Sequence, residues 1–171
     1  MLGTARMELR ELTRADWPAA LALNAASAAQ LSELDEPRLA WLCSLAHRCV
    51  AVECGGKLAA FALAIAPGTA YDSENYRWFG ARFERFLYLD RIAVAAQLRR
   101  RGIATRVYDA MEAAAAPLAR MVCEVNVRPA NRASLAFHRS RGYVERGRLR
   151  HGERKQVALM VKELPAPSSG E

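Results

Sequence analysis

The segment VAAQLRRRGIAT, residues 94–105, decides the reading of this chain. A hydrophobic run, FLYLDRIAVA (residues 86–95), has the β-branched and aromatic content of a strand. A basic turn follows, and an amphipathic helical pattern begins at once and continues to about residue 116, just before Pro117. The first N–H groups of a helix have no acceptor within it, and the helix dipole makes that end positive. Such a strand–turn–helix junction suits a phosphate or pyrophosphate. Gly102 lets the backbone come close to a ligand, Ala104 keeps the next contact small, and Arg99, Arg100 and Arg101 add charge. An isolated R-R-R-G run would be a solvated helix cap. Here the strand, the turn and the helix coincide. A P-loop is excluded because no G-K-S/T follows, and a dinucleotide fingerprint lacks two of its three glycines.

Outward from this loop the elements mix without strict alternation. Residues 7–12 alternate as a half-buried strand, and Thr13 offers an N-cap to a helix reaching about residue 29. Pro37 opens a second helix over 38–48. Two strands, 49–53 and 58–66, flank the Gly55-Gly56 turn. Further strands are expected at 121–127, 143–149 and 156–164, and a helix at 131–141. This order predicts an α/β, mixed α+β fold rather than a doubly wound one. The chain has 171 residues, 52% of them hydrophobic and 25% charged, which favours one globular domain over residues 7–164. Residues 1–6 and 165–171 read as flexible termini.

Charge is unevenly placed. Residues 1–90 carry 9 Lys/Arg and 11 Asp/Glu, while residues 91–171 carry 16 and 7. A basic half implies an anionic partner. The arginines gather at the phosphate loop, and no helix carries a basic–aromatic reading face, so nucleic acid is not expected. No run approaches membrane-spanning length, so no membrane partner is expected either. Cys43, Cys49, Cys54 and Cys123 lack metal-ligand spacing. They read as buried free thiols, with a cytoplasmic location and no metal.

The pattern V-x-x-x-x-R-x-R-G-I-A resembles the acetyl-CoA loop of the GNAT superfamily of N-acetyltransferases, Q/R-x-x-G-x-G/A, with Arg99, Gly102 and Ala104 at its defining positions. Downstream, Asn131, Ser134, Phe137, His138, Gly142 and Tyr143 are similar to the family's N-x-x-A/S-x-x-F/L-Y/H-x-x-x-G-F/Y. The resemblance covers nearly the whole chain. It implies a GNAT fold: a mixed, mostly antiparallel sheet of about seven strands, helices on both faces, and two splayed central parallel strands. It also implies acetyl-CoA as co-substrate. Ile92, Ala93 and Val94 would hold the pantetheine arm through their backbone. The amides of Arg99, Arg100, Arg101, Gly102, Ile103, Ala104 and Thr105 would hold the pyrophosphate. Asn131 would bond the pantetheine, and Ser134 and Phe137 would line its channel.

The family reaction is direct attack of a neutral amine on the thioester. His138 stands where many members carry a tyrosine acid, and a histidine can donate a proton near neutral pH. It can equally be a structural histidine. Glu124, on the strand expected beside the acetyl group, is the candidate base. An exposed or ion-paired strand carboxylate is the alternative, and Asp90 is the fallback. The acceptor is a primary amine, read here as a small or amino-acid-like molecule. Asp72 and Glu74 suit an ammonium group, and Arg77 suits a carboxylate. Residues 69–85 would then form a lid, unless they pack on their own aromatics. Glu33, Asp35 and Glu36, between the first two helices, fall where the family often meets its acceptor. A protein N-terminal or lysine acetyltransferase and a non-catalytic acyl-CoA sensor are the competing functions. Dimers are common in the family, which leaves a homodimer open.

Overall fold

The computed structural model describes residues 6–166. In chain order the elements are β1 (Met7–Glu11), α1 (Trp17–Ala26), α2 (Glu36–Leu45), β2 (Arg48–Cys54), β3 (Lys57–Ile65), α3 (Glu74–Gly80), β4 (Leu87–Val94), α4 (Ile103–Ala115), β5 (Arg120–Arg128), α5 (Arg132–Ser140), β6 (Val144–His151) and β7 (Lys155–Glu163). The seven strands form one sheet in the order β1-β2-β3-β4-β5-β7-β6. The β4–β5 ladder is parallel, whereas β1–β2, β2–β3, β5–β7 and β6–β7 are antiparallel. This is the mixed, mostly antiparallel sheet that the family resemblance implied, and it agrees with the mixed α/β class read from the element order. The leader and tail expected at 1–6 and 165–171 fall largely outside the described residues.

The chain condenses into two compact units. The first contains the chain up to Ile65 together with Asp90–Met111, and the second contains Ala66–Leu89 together with the chain from Glu112 onward. In the first unit, β3 is buried at every position from Ala59 to Ile65, which is why it reads as an unbroken apolar run rather than an alternation. Leu39 and Leu42 of α2 and Ile103, Val107 and Met111 of α4 are buried as well. Their spacing of three or four residues is that of one helix face. In the second unit, the interior is built from Phe79, Phe86, Leu87 and Tyr88, with Met121, Val122 and the run Val157–Val161.

Helix α1 starts through a short 3-10 turn, Arg14–Asp16, and its cap is heavily bonded. Asp16 Oδ2 accepts from the Thr13 amide at 2.8 Å and from the Thr13 hydroxyl at 3.0 Å. Arg10 of β1 donates to both oxygens of the same carboxylate, at 2.7 and 2.8 Å. The bonds from Arg10 outweigh partial burial and hold the Asp16 carboxyl well below the usual carboxylate range. Asp16→Ala is therefore expected to destabilise the fold by about 2 kcal/mol, from the lost cap and the half-buried ion pair together. The sign follows from a depressed folded-state pKa: the contribution is full above about pH 4 and is lost as pH falls below it. Urea denaturation of wild type and variant at pH 7 and pH 3 checks this, and the gap between them should narrow at pH 3.

One expectation changes and another is narrowed. Helix α1 ends at Ala26, three residues before the expected end, with Ser27 as its C-cap. Just before that end, the Asn24 side chain donates to the Ser32 carbonyl at 2.9 Å, tying the helix to the chain that follows it. Residues 69–85, read as a lid or as a loop packed on its own aromatics, contain α3 and take the packed form. Tyr71, Tyr76 and Phe79 turn inward, and their rings meet Tyr88 at centroid distances of 5.7 to 6.1 Å. The Tyr76 hydroxyl accepts from the Thr69 amide and donates to the Ala66 carbonyl at 2.8 Å. All four cysteines are free thiols, as expected, but only Cys123 is buried; Cys43, Cys49 and Cys54 are half-buried.

Candidate active site

In the first unit, β4 ends at Val94 and a 3-10 turn, Ala96–Leu98, leads into the basic segment. Arg99, Arg100, Arg101 and Gly102 are exposed, and α4 begins at Ile103. Arg106 is the first residue of this helix whose amide reaches back, to the Gly102 carbonyl at 3.1 Å. The amides of Ile103, Ala104 and Thr105 precede any intrahelical acceptor and lie at the positive end of the helix dipole. Two consecutive kinks shape the approach. Gly102 has φ +77°, and Arg100 has φ +62°, a left-handed conformation that costs a non-glycine residue about 1–2 kcal/mol. Backbone strain of this kind concentrates at ligand-binding loops. A Cβ on Gly102 would meet nothing within 4 Å. In the unliganded chain the glycine therefore answers a conformational demand, not a steric one. Ile92 and Val94 are half-buried on β4 and Ala93 is buried.

Asp90, the fallback base, is engaged by its neighbour: Arg91 Nε donates to Asp90 Oδ2 at 2.7 Å, and both side chains are 4% exposed. The first unit also holds a pocket of about 610 Å³, lined by Asn24, Leu31, Glu33, Leu34, Asp35 and Arg38, with Ala25 and Ala28. Asp35 caps α2 by accepting from the Arg38 amide at 2.8 Å. Of the three carboxylates that sequence placed near the acceptor, Glu33 and Asp35 line this pocket and Glu36 does not.

In the second unit, Glu124 of β5 accepts a hydrogen bond from the Tyr88 hydroxyl of β4 at 2.7 Å. The parallel register explains the pairing. Tyr88 stands opposite Val122, and Glu124 lies two residues further along the same face. Sequence reasoning missed Tyr88. Its signal was a tyrosine on the strand adjacent to Glu124, but the register was needed to use it. The ordered β4–β5 ladder comprises Leu87↔Met121 and Tyr88↔Val122.

The second motif forms α5. Asn131 caps it, its Oδ1 accepting from the Ser134 amide at 3.2 Å. This leaves Nδ2 as the side of the amide that the cap does not use. Ser134 and Phe137 are half-buried. His138 is 4% exposed, between the Phe137 and Tyr143 rings at 5.5 and 5.2 Å. Its Nδ1 lies 2.7 Å from the Ser134 carbonyl, and a carbonyl only accepts, so Nδ1 carries the proton. Burial pushes the His138 pKa down, against the raising effect of that hydrogen bond. The ring is thus enclosed by the Ser134 carbonyl and the Phe137 and Tyr143 rings. A depressed histidine pKa removes stability as pH falls through about 6.5, because only the unfolded chain takes up the proton readily. His138→Phe is expected to flatten that loss between pH 7.5 and 5.5, as read by chemical denaturation, while turnover stays within about threefold of wild type.

Beside it, Glu112 accepts from Arg141, Tyr143 and Lys162 at 2.8 to 3.1 Å. Burial opposes its charge, but these bonds prevail and hold the carboxyl below its ordinary value. The cluster ties the C-terminal part of α4 to the end of α5 and to β7. Among the described residues no group of three or more His, Cys, Asp or Glu is placed to hold a metal, and no helix is long and apolar enough to cross a membrane.

The profile of the acetyltransferase (GNAT) family matches residues 6–143. Comparison with curated proteins finds none that matches. Among solved structures, the ribosomal-protein-S18-alanine N-acetyltransferase from Escherichia coli superposes with a TM-score of 0.73 at 18% identity, covering 97% of this chain and 99% of its own. Ard1 from Thermoplasma volcanium gives 0.75 at 14% identity, covering 92% and 97%. The Salmonella typhimurium protein yncA, solved with its cofactor acetyl-CoA, gives 0.69 at 18%, covering 96% and 98%. At these identities the structural likeness speaks for the fold, and the profile match speaks for the family.

Proposed function

Because this chain belongs to the GNAT acetyltransferase family, we propose that it moves the acetyl group of acetyl-CoA onto the primary amine of a small or amino-acid-like molecule. The observation that carries the donor half is the 94–105 segment. It presents a helix start with positive dipole, flanking arginines and two left-handed residues, all suited to a pyrophosphate. In this reading Ile92, Ala93 and Val94 hold the pantetheine by their backbone, and the amides from Arg99 to Thr105 hold the pyrophosphate. Asn131, Ser134 and Phe137 take the pantetheine side assigned to the second motif.

The amine attacks the thioester carbonyl carbon with its nitrogen lone pair, and the carbon–sulfur bond breaks. Glu124 takes the proton released by the nitrogen. Tyr88 passes its hydroxyl proton to the leaving sulfur and is reprotonated from Glu124, so the net movement is from amine to thiol. The 2.7 Å bond between Tyr88 and Glu124 supports this relay. His138 serves as packing for α5. Glu33 and Asp35 face the acceptor pocket and favour a cationic amine over a neutral one.

Free-thiol release across a panel of amino acids, polyamines, aryl amines and N-terminal peptides tests this. Fastest release with a small amine is expected. Fastest release with a peptide would transfer the function to proteins, and release with none would leave a coenzyme A-binding module. Four free thiols suit a reducing compartment, and the cytoplasm is the location proposed.

A further inference from the structure

Arg91 is a buried arginine on a strand where burial alternates, and it is 5% exposed. A buried guanidinium is tolerated only when its donors are used. Nε donates to Asp90 Oδ2 at 2.7 Å. Nη1 donates to Asn24 Oδ1 at 2.9 Å and to the Ser32 carbonyl at 3.4 Å, and Nη2 donates to Ser32 Oγ at 3.2 Å. Asn24, itself 2% exposed, closes the ring by donating from Nδ2 to the same Ser32 carbonyl at 2.9 Å. Three separate segments meet here: β4, the last turns of α1, and the connection between α1 and α2. All of them belong to the first unit.

The residues on either side of Ser32, namely Leu31, Glu33 and Leu34, line the 610 Å³ pocket, and Asn24 lines it too. Residues 27–35 lie in no helix or strand, and the Arg91 ring bonds this connection to β4. Arg91 is also the residue immediately before Ile92, where the proposed pantetheine strand begins.

We propose that Arg91 is a positioning residue: its guanidinium fixes the 27–35 connection as one wall of the acceptor pocket and so sets the KM for the amine. The inference rests on the acceptor reading given above. The charge of Arg91 is spent on Asp90, Asn24 and Ser32, so it acts through the wall and not on the substrate.

Arg91→Gln tests this. Because that change deprives buried Asp90 of a partner, the double variant Asp90→Asn/Arg91→Gln is made beside it and is read by hydrogen exchange alone, since Asp90 is also the fallback base. Backbone hydrogen exchange is read across residues 27–35, with the acetyl-CoA Kd and with KM and kcat for the best amine of the panel. Exchange in 27–35 is expected to quicken at least about tenfold while the β2–β3 hairpin is unchanged. KM should rise about tenfold or more, with kcat and the acetyl-CoA Kd within about threefold, the signature of lost ground-state positioning. Unchanged exchange at 27–35 overturns the clamp. An equal fall in kcat and kcat/KM overturns the positioning role. A wild-type enzyme that releases thiol with no amine defeats the acceptor reading instead, and the exchange result still decides the clamp separately.

Discussion

Gly102→Val is expected to weaken acetyl-CoA binding at least about 100-fold, a loss of about 2.7 kcal/mol in binding free energy. Gly102 sits at φ +77° immediately before α4. Valine, branched at Cβ, is among the residues least able to adopt that conformation. The chain would relax by rotating the Gly102 peptide, and the amides of Ile103, Ala104 and Thr105 would lose their common direction. Nothing in the protein crowds the position, so the folded state can absorb the change by local rearrangement. Stability should fall by only about 1–2 kcal/mol, the cost of one left-handed residue. Calorimetric titration together with a denaturation curve separates the two effects. A large drop in stability with unchanged acetyl-CoA affinity would mean that the loop is a structural turn.

Glu124→Gln should lower kcat about 100- to 10,000-fold, the range that a general base supplies, while the acetyl-CoA Kd stays within about twofold. Glutamine keeps the size of the side chain and still accepts from Tyr88, but it cannot take a proton. Tyr88→Phe removes only the relay and should cost less. The deficit of Glu124→Gln should persist across a kcat/KM profile from pH 6 to 10, because the proton that Glu124 takes is released only after the neutral amine has attacked. A pH-independent deficit in KM alone would assign Glu124 to acceptor binding.

The phosphate loop was legible in the sequence because its requirements are local. A strand pattern, a glycine and a helix pattern lie within a dozen residues, and each has its own signal. The left-handed Arg100 was not legible, since no residue-type preference marks a strained arginine. The Tyr88–Glu124 pair was half legible. Glu124 stood out as a carboxylate on a core strand, but its partner depends on the parallel register of β4 and β5, which is set across a long stretch of chain. For the 69–85 segment the sequence left two readings open, a lid and a segment packed on its own aromatics. Tyrosines interleaved with Asp72, Ser73 and Glu74 fit either, whereas three of the rings pack inward with Asn75 while Asp72, Glu74 and Arg77 face solvent. Arg91 was hidden for the opposite reason. A charge in an apolar strand reads as an exit to solvent unless its partners, Asn24 and Ser32, are known to lie beside it.

Residues 94–105 are the proposed seat of the donor. Titrating the wild-type protein with acetyl-CoA in a calorimeter tests that most directly. Saturable heat with one site per chain is predicted, weakening with salt because phosphate charge is involved. A flat titration, with no shift in thermal midpoint, would contradict it.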